Sequence, residues 1–80
     1  MKFSGKNVLV TGASRGIGAA IAKELAEYGL KVWINYRSGA EAADKVKDEI
    51  IASGGNAAVV KADVTNEAEF VEMIKTIIVS

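Results

Sequence analysis

Three short apolar runs rich in β-branched residues recur along the chain, at 7–11, 31–35 and 57–61. None alternates polar with apolar positions, so each predicts a strand buried on both faces, as parallel sheets require. A segment of helical periodicity follows each run. In the first, Ile17, Ile21, Leu25 and Tyr28 fall at spacings of 4, 4 and 3, with Gly29 placed as a C-terminal cap. In the second, Ala43, Val46, Ile50 and Ile51 form the stripe. Ser38-Gly39-Ala40-Glu41 reads as a capping box, and Gly54-Gly55 ends the helix. In the third, Val71, Ile74 and Ile78 line one face, Phe70 and Ile77 flank it, and Thr65 or Asn66 caps the start. Glu41–Lys45 and Lys45–Glu49 are i,i+4 pairs that mark the solvent side of the second helix.

Strands alternating with helices at this spacing predict an α/β fold, βαβαβα. Right-handed crossovers reduce the choices to a few three-stranded sheets. The order 3-2-1 makes the chain half of a Rossmann-like, doubly wound parallel sheet.

Composition changes this picture in one respect. Half of the 80 residues are apolar and the mean hydropathy is +0.20, rich for so short a chain. The expectation is that residues 1–80 are the amino-terminal, dinucleotide-binding portion of a single larger domain. The edge of strand one is then a bare pairing surface. Ten basic residues balance ten acidic ones, which argues against broad nucleic-acid binding. With no His and no Cys, zinc sites, imidazole bases, thiol nucleophiles and disulfides are excluded. No apolar run is long enough for a membrane span, and the start lacks the pattern of a signal peptide. A cytoplasmic protein is expected.

Candidate chemistry begins between strand one and helix one, at Thr11-Gly12-Ala13-Ser14-Arg15-Gly16-Ile17-Gly18. The spacing G-x-x-x-G-x-G differs from the commoner G-x-G-x-x-G, but the mechanics are similar. Gly12 permits a tight exit from the strand, Gly16 allows backbone to approach a pyrophosphate, and Gly18 lets the helix pack closely on the sheet. The helix N-terminus offers free N–H groups to phosphate oxygens. Position 17 is Ile with Gly after it, so this is not a P-loop. Arg15 opposes the helix dipole, a conflict that a bound phosphate would offset.

Dinucleotide sites usually carry Asp or Glu at the end of strand two, bonding the ribose 2′-hydroxyl. Here the chain reads Ile34-Asn35-Tyr36-Arg37-Ser38, with no carboxylate. Arg37 stands where a 2′-phosphate would lie, and Ser38 can add a hydrogen bond. This predicts NADP(H) over NAD(H), because Arg binds phosphate with paired donors and a carboxylate repels it. The plainer alternative is an ordinary loop cation. Tyr36 either stacks near the adenine or covers the sheet edge, and Trp33 belongs to the core. Asp63, followed by Val64, ends strand three. It either accepts from the adenine amino group or serves as a turn and helix-entry residue.

The glycine-rich stretch from Thr11 to Gly18, together with Asp63-Val64, resembles the cofactor motifs of the short-chain dehydrogenase/reductases. Within that family, 3–10 and 32–38 are most similar to bacterial 3-oxoacyl-acyl-carrier-protein reductases. The resemblance spans all 80 residues. It implies cofactor contacts from Gly12, Ser14, Arg15, Gly16, Ile17, Gly18, Tyr36, Arg37, Ser38, Asp63 and Val64. It also implies an NADPH-dependent reductase of type II fatty acid synthesis, acting on a keto group carried by acyl carrier protein. The subunits would be homo-oligomeric and roughly three times this length.

The resemblance also implies a catalytic Tyr with a Lys four residues on and a substrate-orienting Ser. Tyr28 is followed at that distance by Val32 and Tyr36 by Ala40, so no catalytic residue is nominated, and no metal ligand. The 80-residue chain alone is expected to be inactive. Two other readings stay open at this stage: a stand-alone, non-catalytic nucleotide-binding module, and a self-associating half-Rossmann unit. A methyltransferase is more remote, since its ribose site wants an acid where Arg37 stands.

Overall fold

In the computed structural model, residues 6–12 and 16–79 are described. The elements run β1 (Asn7–Thr11), α1 (Gly16–Glu27), β2 (Lys31–Tyr36), α2 (Ala40–Ala52), β3 (Asn56–Lys61) and α3 (Glu67–Ile78). All three strands are parallel in the order β1-β2-β3, the expected order read from the opposite edge. Val8 pairs with Val32, Val10 with Ile34 and Thr11 with Asn35; on the other side Ile34 pairs with Val59 and Tyr36 with Lys61. This register sets the three carboxyl strand ends side by side.

β2 is central, and Val32, Trp33, Ile34 and Asn35 are all buried, as its unbroken apolar run requires. Side chains alternate between the faces. Val32 and Ile34 point to the α1/α2 side, where they meet Ala19, Ala22 and Ala26 of α1 and Ala43, Val46 and Ile50 of α2. Trp33 and Asn35 point to the other side, where Met73 of α3 bonds Asn35. Two helices on one face and one on the other is the doubly wound arrangement. Trp33 is buried as expected; it also donates from Nε1 to Asn7 Oδ1 at 3.0 Å, and Lys31 Nζ sits 4.6 Å from its ring centroid.

The helices bury different faces from those the bulky residues suggest. In α1, Ile17 is 80 % exposed, Ile21 is also exposed and Leu25 is half-buried; Tyr28, just past the helix, is exposed too. The buried stripe is Ala19, Ala22 and Ala26, because small side chains let α1 come close to β2 and to α2. α2 follows expectation with Ala43, Val46 and Ile50, but Ile51 turns outward. α3 buries Met73; Val71, Phe70 and Ile78 are exposed, and Ile74 and Ile77 are half-buried.

The helix ends show which local rules hold. α2 ends as predicted: the Gly54 N–H donates to Ile51 O and the Gly55 N–H to Ile50 O, a Schellman motif with Gly54 at φ +90°. Gly55 is also a close-packing position, since a Cβ there would lie 2.8 Å from Ile50 Cγ2 and 3.3 Å from Ala26 Cβ. The capping box at 38–41 does not form. The N-cap is Gly39, left-handed at φ 80°, with no side-chain cap hydrogen bond, so the helix begins one residue later than Ser38 capping requires. At α3 the cap is Asn66, whose Oδ1 accepts from the Glu69 N–H; Thr65 is committed elsewhere. The expected pairs at Lys45 do not close as ion pairs, although the Lys45 charge still helps to lower the Glu49 pKa. Glu49 pairs with Lys23, tying α2 to α1, and Lys47 pairs with Asp44 and Asp48. Among the described residues no helix is long and apolar enough to cross a membrane.

Candidate functional site

The sheet register builds the site at the carboxyl edge. Thr11 is level with Asn35, so Gly12 leaves β1 one position beyond, beside Tyr36 of β2. Tyr36 is level with Lys61, so Arg37 and Ala62-Asp63 emerge next to each other. Neighbouring strands lie about 4.8 Å apart, which brings the three exits within reach of one extended ligand.

Gly12 and Gly16 both hold left-handed backbone, at φ +66° and +63°. Among the described residues, a Cβ at either would meet nothing within 4 Å. The glycines are therefore demanded by conformation, and no described side chain or backbone crowds them. α1 begins at Gly16 and has no acidic residue in its first turn, so its positive end is not neutralised by its own side chains. Ile17 stands exposed in that turn and Gly18 is half-buried. Ser14 and Arg15 lie outside the described residues.

At the end of β2, Tyr36 is half-buried and packs against the α1/α2-side core. Arg37 is 77 % exposed. Ser38 is exposed, and its hydroxyl is not spent on capping α2.

At the end of β3 the chain is pinned by two bonds. The Ala62 N–H donates to Tyr36 O at 3.0 Å, and Asn35 Nδ2 donates to Ala62 O at 3.2 Å. Asp63 follows in a turn closed by the Asn66 N–H donating to Asp63 O. Its Oδ1 accepts from the Thr65 N–H at 2.9 Å and from Thr65 Oγ1 at 2.6 Å. Its Oδ2 lies 3.6 Å from Arg37 Nε. The Thr65 hydroxyl bond, the Thr65 N–H bond and then the Arg37 charge hold the carboxyl below its ordinary range, against a partial desolvation that opposes them. Asp63 is thus a turn and helix-entry residue, and one of its oxygens still faces the site. Val64 beside it is exposed.

Asn35 is the residue that pattern reading passed over. It is the buried polar side chain of β2, and Nδ2 also reaches Met73 Sδ at 3.3 Å and Val60 O at 3.4 Å. It ties β2 to the turn that carries Asp63 and to α3. The signal was available: an amide inside an apolar strand must find partners, because an unpaired one is costly.

Two left-handed glycines, an unneutralised helix start, an exposed guanidinium and an oriented carboxylate fit a phosphorylated nucleotide. Phosphates suit the turn, and the exposed cation suits one phosphate more. The family profile described as short chain dehydrogenase matches residues 6–80. The chain belongs to the short chain dehydrogenase family. Among curated relatives, a 3-oxoacyl-[acyl-carrier-protein] reductase of Synechocystis is 56% identical over 68 residues, 85% of this chain and 28% of the relative. A versicolorin reductase of Emericella nidulans is 54% identical over 63 residues, 79% of this chain and 24% of the relative. Among solved structures, a metagenomic short-chain oxidoreductase in complex with NADP superposes with a TM-score of 0.91 at 36% identity, over 96% of this chain and 34% of that one. A dehydrogenase/reductase from Sinorhizobium meliloti gives 0.89 at 43% identity, over 94% and 30%. The chain therefore spans about a quarter to a third of the length of these relatives.

Proposed function

We propose that these residues are the dinucleotide-binding portion of an NADPH-dependent short-chain reductase that works in the cytoplasm as a homo-oligomer. The carrying observation is Arg37, an exposed cation at the end of β2 in a stretch, 35–38, without a carboxylate. NADPH, when bound, supplies a hydride to a carbonyl carbon. The chain's own work is to hold that cofactor. Backbone around Gly12 and Gly16 and the first-turn N–H groups of α1 receive its pyrophosphate, with Ser14, Arg15, Ile17 and Gly18 in the same turn. Arg37 and Ser38 take the 2′-phosphate, and Asp63 and Val64 border the adenine, with Tyr36 fixing the strand end from which Arg37 leaves.

The substrate class we propose is a 3-oxoacyl chain on acyl carrier protein, in type II fatty acid synthesis. It is supported by the similarity to the Synechocystis reductase across 85% of the chain. The proton donor and the substrate-orienting hydroxyl belong to the rest of the reductase, so residues 1–80 alone turn over no substrate. Two measurements test the reading. Fluorescence titration should give tighter binding of NADPH than NADH, and equal affinities would overturn the cofactor assignment. The full-length enzyme should oxidise NADPH with an acetoacetyl thioester; activity confined to cyclic or aromatic ketones would overturn the substrate class.

A further inference from the structure

We propose that Asp63 is a specificity-determining residue, an internal counter-anion that Arg37 must share or leave when it takes a 2′-phosphate, and that Thr65 holds it in that role. The inference rests on the assignment of Arg37 to a 2′-phosphate and deepens it.

Three observations carry it. First, the β2–β3 register and the two bonds on Ala62 place Asp63 beside Arg37 before their own side chains interact. Second, Thr65 occupies Oδ1 twice, by its N–H and its hydroxyl, which fixes the carboxylate plane and leaves Oδ2 toward Arg37 Nε at 3.6 Å. Third, the partners differ in freedom. The Arg37 side chain is 77 % exposed and the Asp63 side chain only 25 %, so the guanidinium has room to turn toward another anion while Thr65 holds the carboxylate. An anion held beside an exposed cation lowers the gain when that cation takes another anion. At this exposure the pair is weak and salt-screened, whereas a phosphate can accept paired donors from Arg. Asp63 therefore moderates the preference for a 2′-phosphorylated ligand and does not abolish it. Its Oδ2 is also the oxygen left for an adenine amino group, so the two ends of an adenosine 2′-phosphate meet the same ion pair.

The test uses two probes that differ only by the 2′-phosphate, adenosine 2′,5′-bisphosphate and 5′-AMP, titrated calorimetrically against the full chain. The readout is the ratio of the 5′-AMP Kd to the bisphosphate Kd. Arg37→Met should bring the ratio toward one. Asp63→Asn, which keeps an oxygen for Thr65, should raise it about two- to fivefold, the size of an exposed ion pair. The same substitution in the Arg37→Met background should leave the ratio unmoved. Thr65→Val keeps the N–H bond and loses the hydroxyl, and should raise the ratio by less. It also carries the test alone if Asp63→Asn does not fold. An unchanged ratio in both Asp63→Asn and Thr65→Val overturns the proposal while leaving the 2′-phosphate assignment intact. So does a rise that persists without Arg37, which marks direct repulsion by the carboxylate. A wild-type ratio in Arg37→Met overturns the assignment itself.

Discussion

On the α1/α2 side of the sheet, Val32 and Ile34 are sealed under the alanine face of α1 and the Ala43, Val46 and Ile50 face of α2, with Val8, Val10, Tyr36 and Val59 at the margin. On the α3 side, the central strand presents Trp33 and Asn35, and α3 buries Met73 against them while its Val71 and Ile78 face outward. The first face is held by apolar area, which is insensitive to direction. The second is held by directed bonds: Trp33 to Asn7, and Asn35 to Ala62 O and Met73 Sδ. The contrast assigns the two faces different duties. The aliphatic face supplies most of the stability, and the polar face locates the turn that carries Asp63.

The largest effect should come from the aliphatic face. Ile34 is fully buried, and Ile34→Ala should cost about 2–5 kcal/mol in urea or thermal unfolding, as buried aliphatic truncations do. A loss under 1 kcal/mol, measured the same way, would break the contrast. Asn35→Ala should cost less, about 1–3 kcal/mol, from lost bonds to buried acceptors. It should also loosen the turn at 62–66, read as faster amide exchange there than across α1 and α2.

Acid should act on both faces, more weakly. Glu49 is held below its ordinary pKa chiefly by the Lys23 hydrogen bond, and Asp63 chiefly by the Thr65 hydroxyl. A carboxyl depressed on folding stabilises at pH above its unfolded value, and that contribution is lost as pH falls through the folded value. Tm should therefore drop as pH falls below about 4. Lys23→Met should remove the α1/α2 part of this dependence and Asp63→Asn the part at the strand ends. If neither variant flattens the Tm–pH curve, the two carboxyls are not its source. The smallest effect is on the outward stripe of α1: Ile17→Ser should change stability by no more than about 0.5 kcal/mol.

That last comparison shows what was legible and what was not. All six elements, their parallel order and the glycine caps after α1 and α2 could be read from apolar runs and punctuation. The buried face of α1 could not. Ala19, Ala22 and Ala26 repeat at helical spacing as well as Ile17, Ile21 and Leu25 do, and bulk favours the wrong stripe. Close approach to β2 and α2 rewards the small residues instead. Arg37 and Asp63 were each recognisable from their strand ends, but their pairing depends on the β2–β3 register, which no local pattern encodes. Likewise the box at 38–41 has the right residues, and the left-handed Gly39 moves the helix start past Ser38.

The central claim is that the carboxyl edge of this sheet holds a 2′-phosphorylated dinucleotide. Its most direct test is ¹H–¹⁵N shift mapping of the chain with NADPH and with NADH. The account predicts shifts at Gly12, Gly16, Arg37 and Asp63, saturating at lower NADPH than NADH, and none at Gly29, Gly54 or Gly55 on the opposite edge. Shifts centred on that opposite edge, or identical saturation by both cofactors, would contradict it.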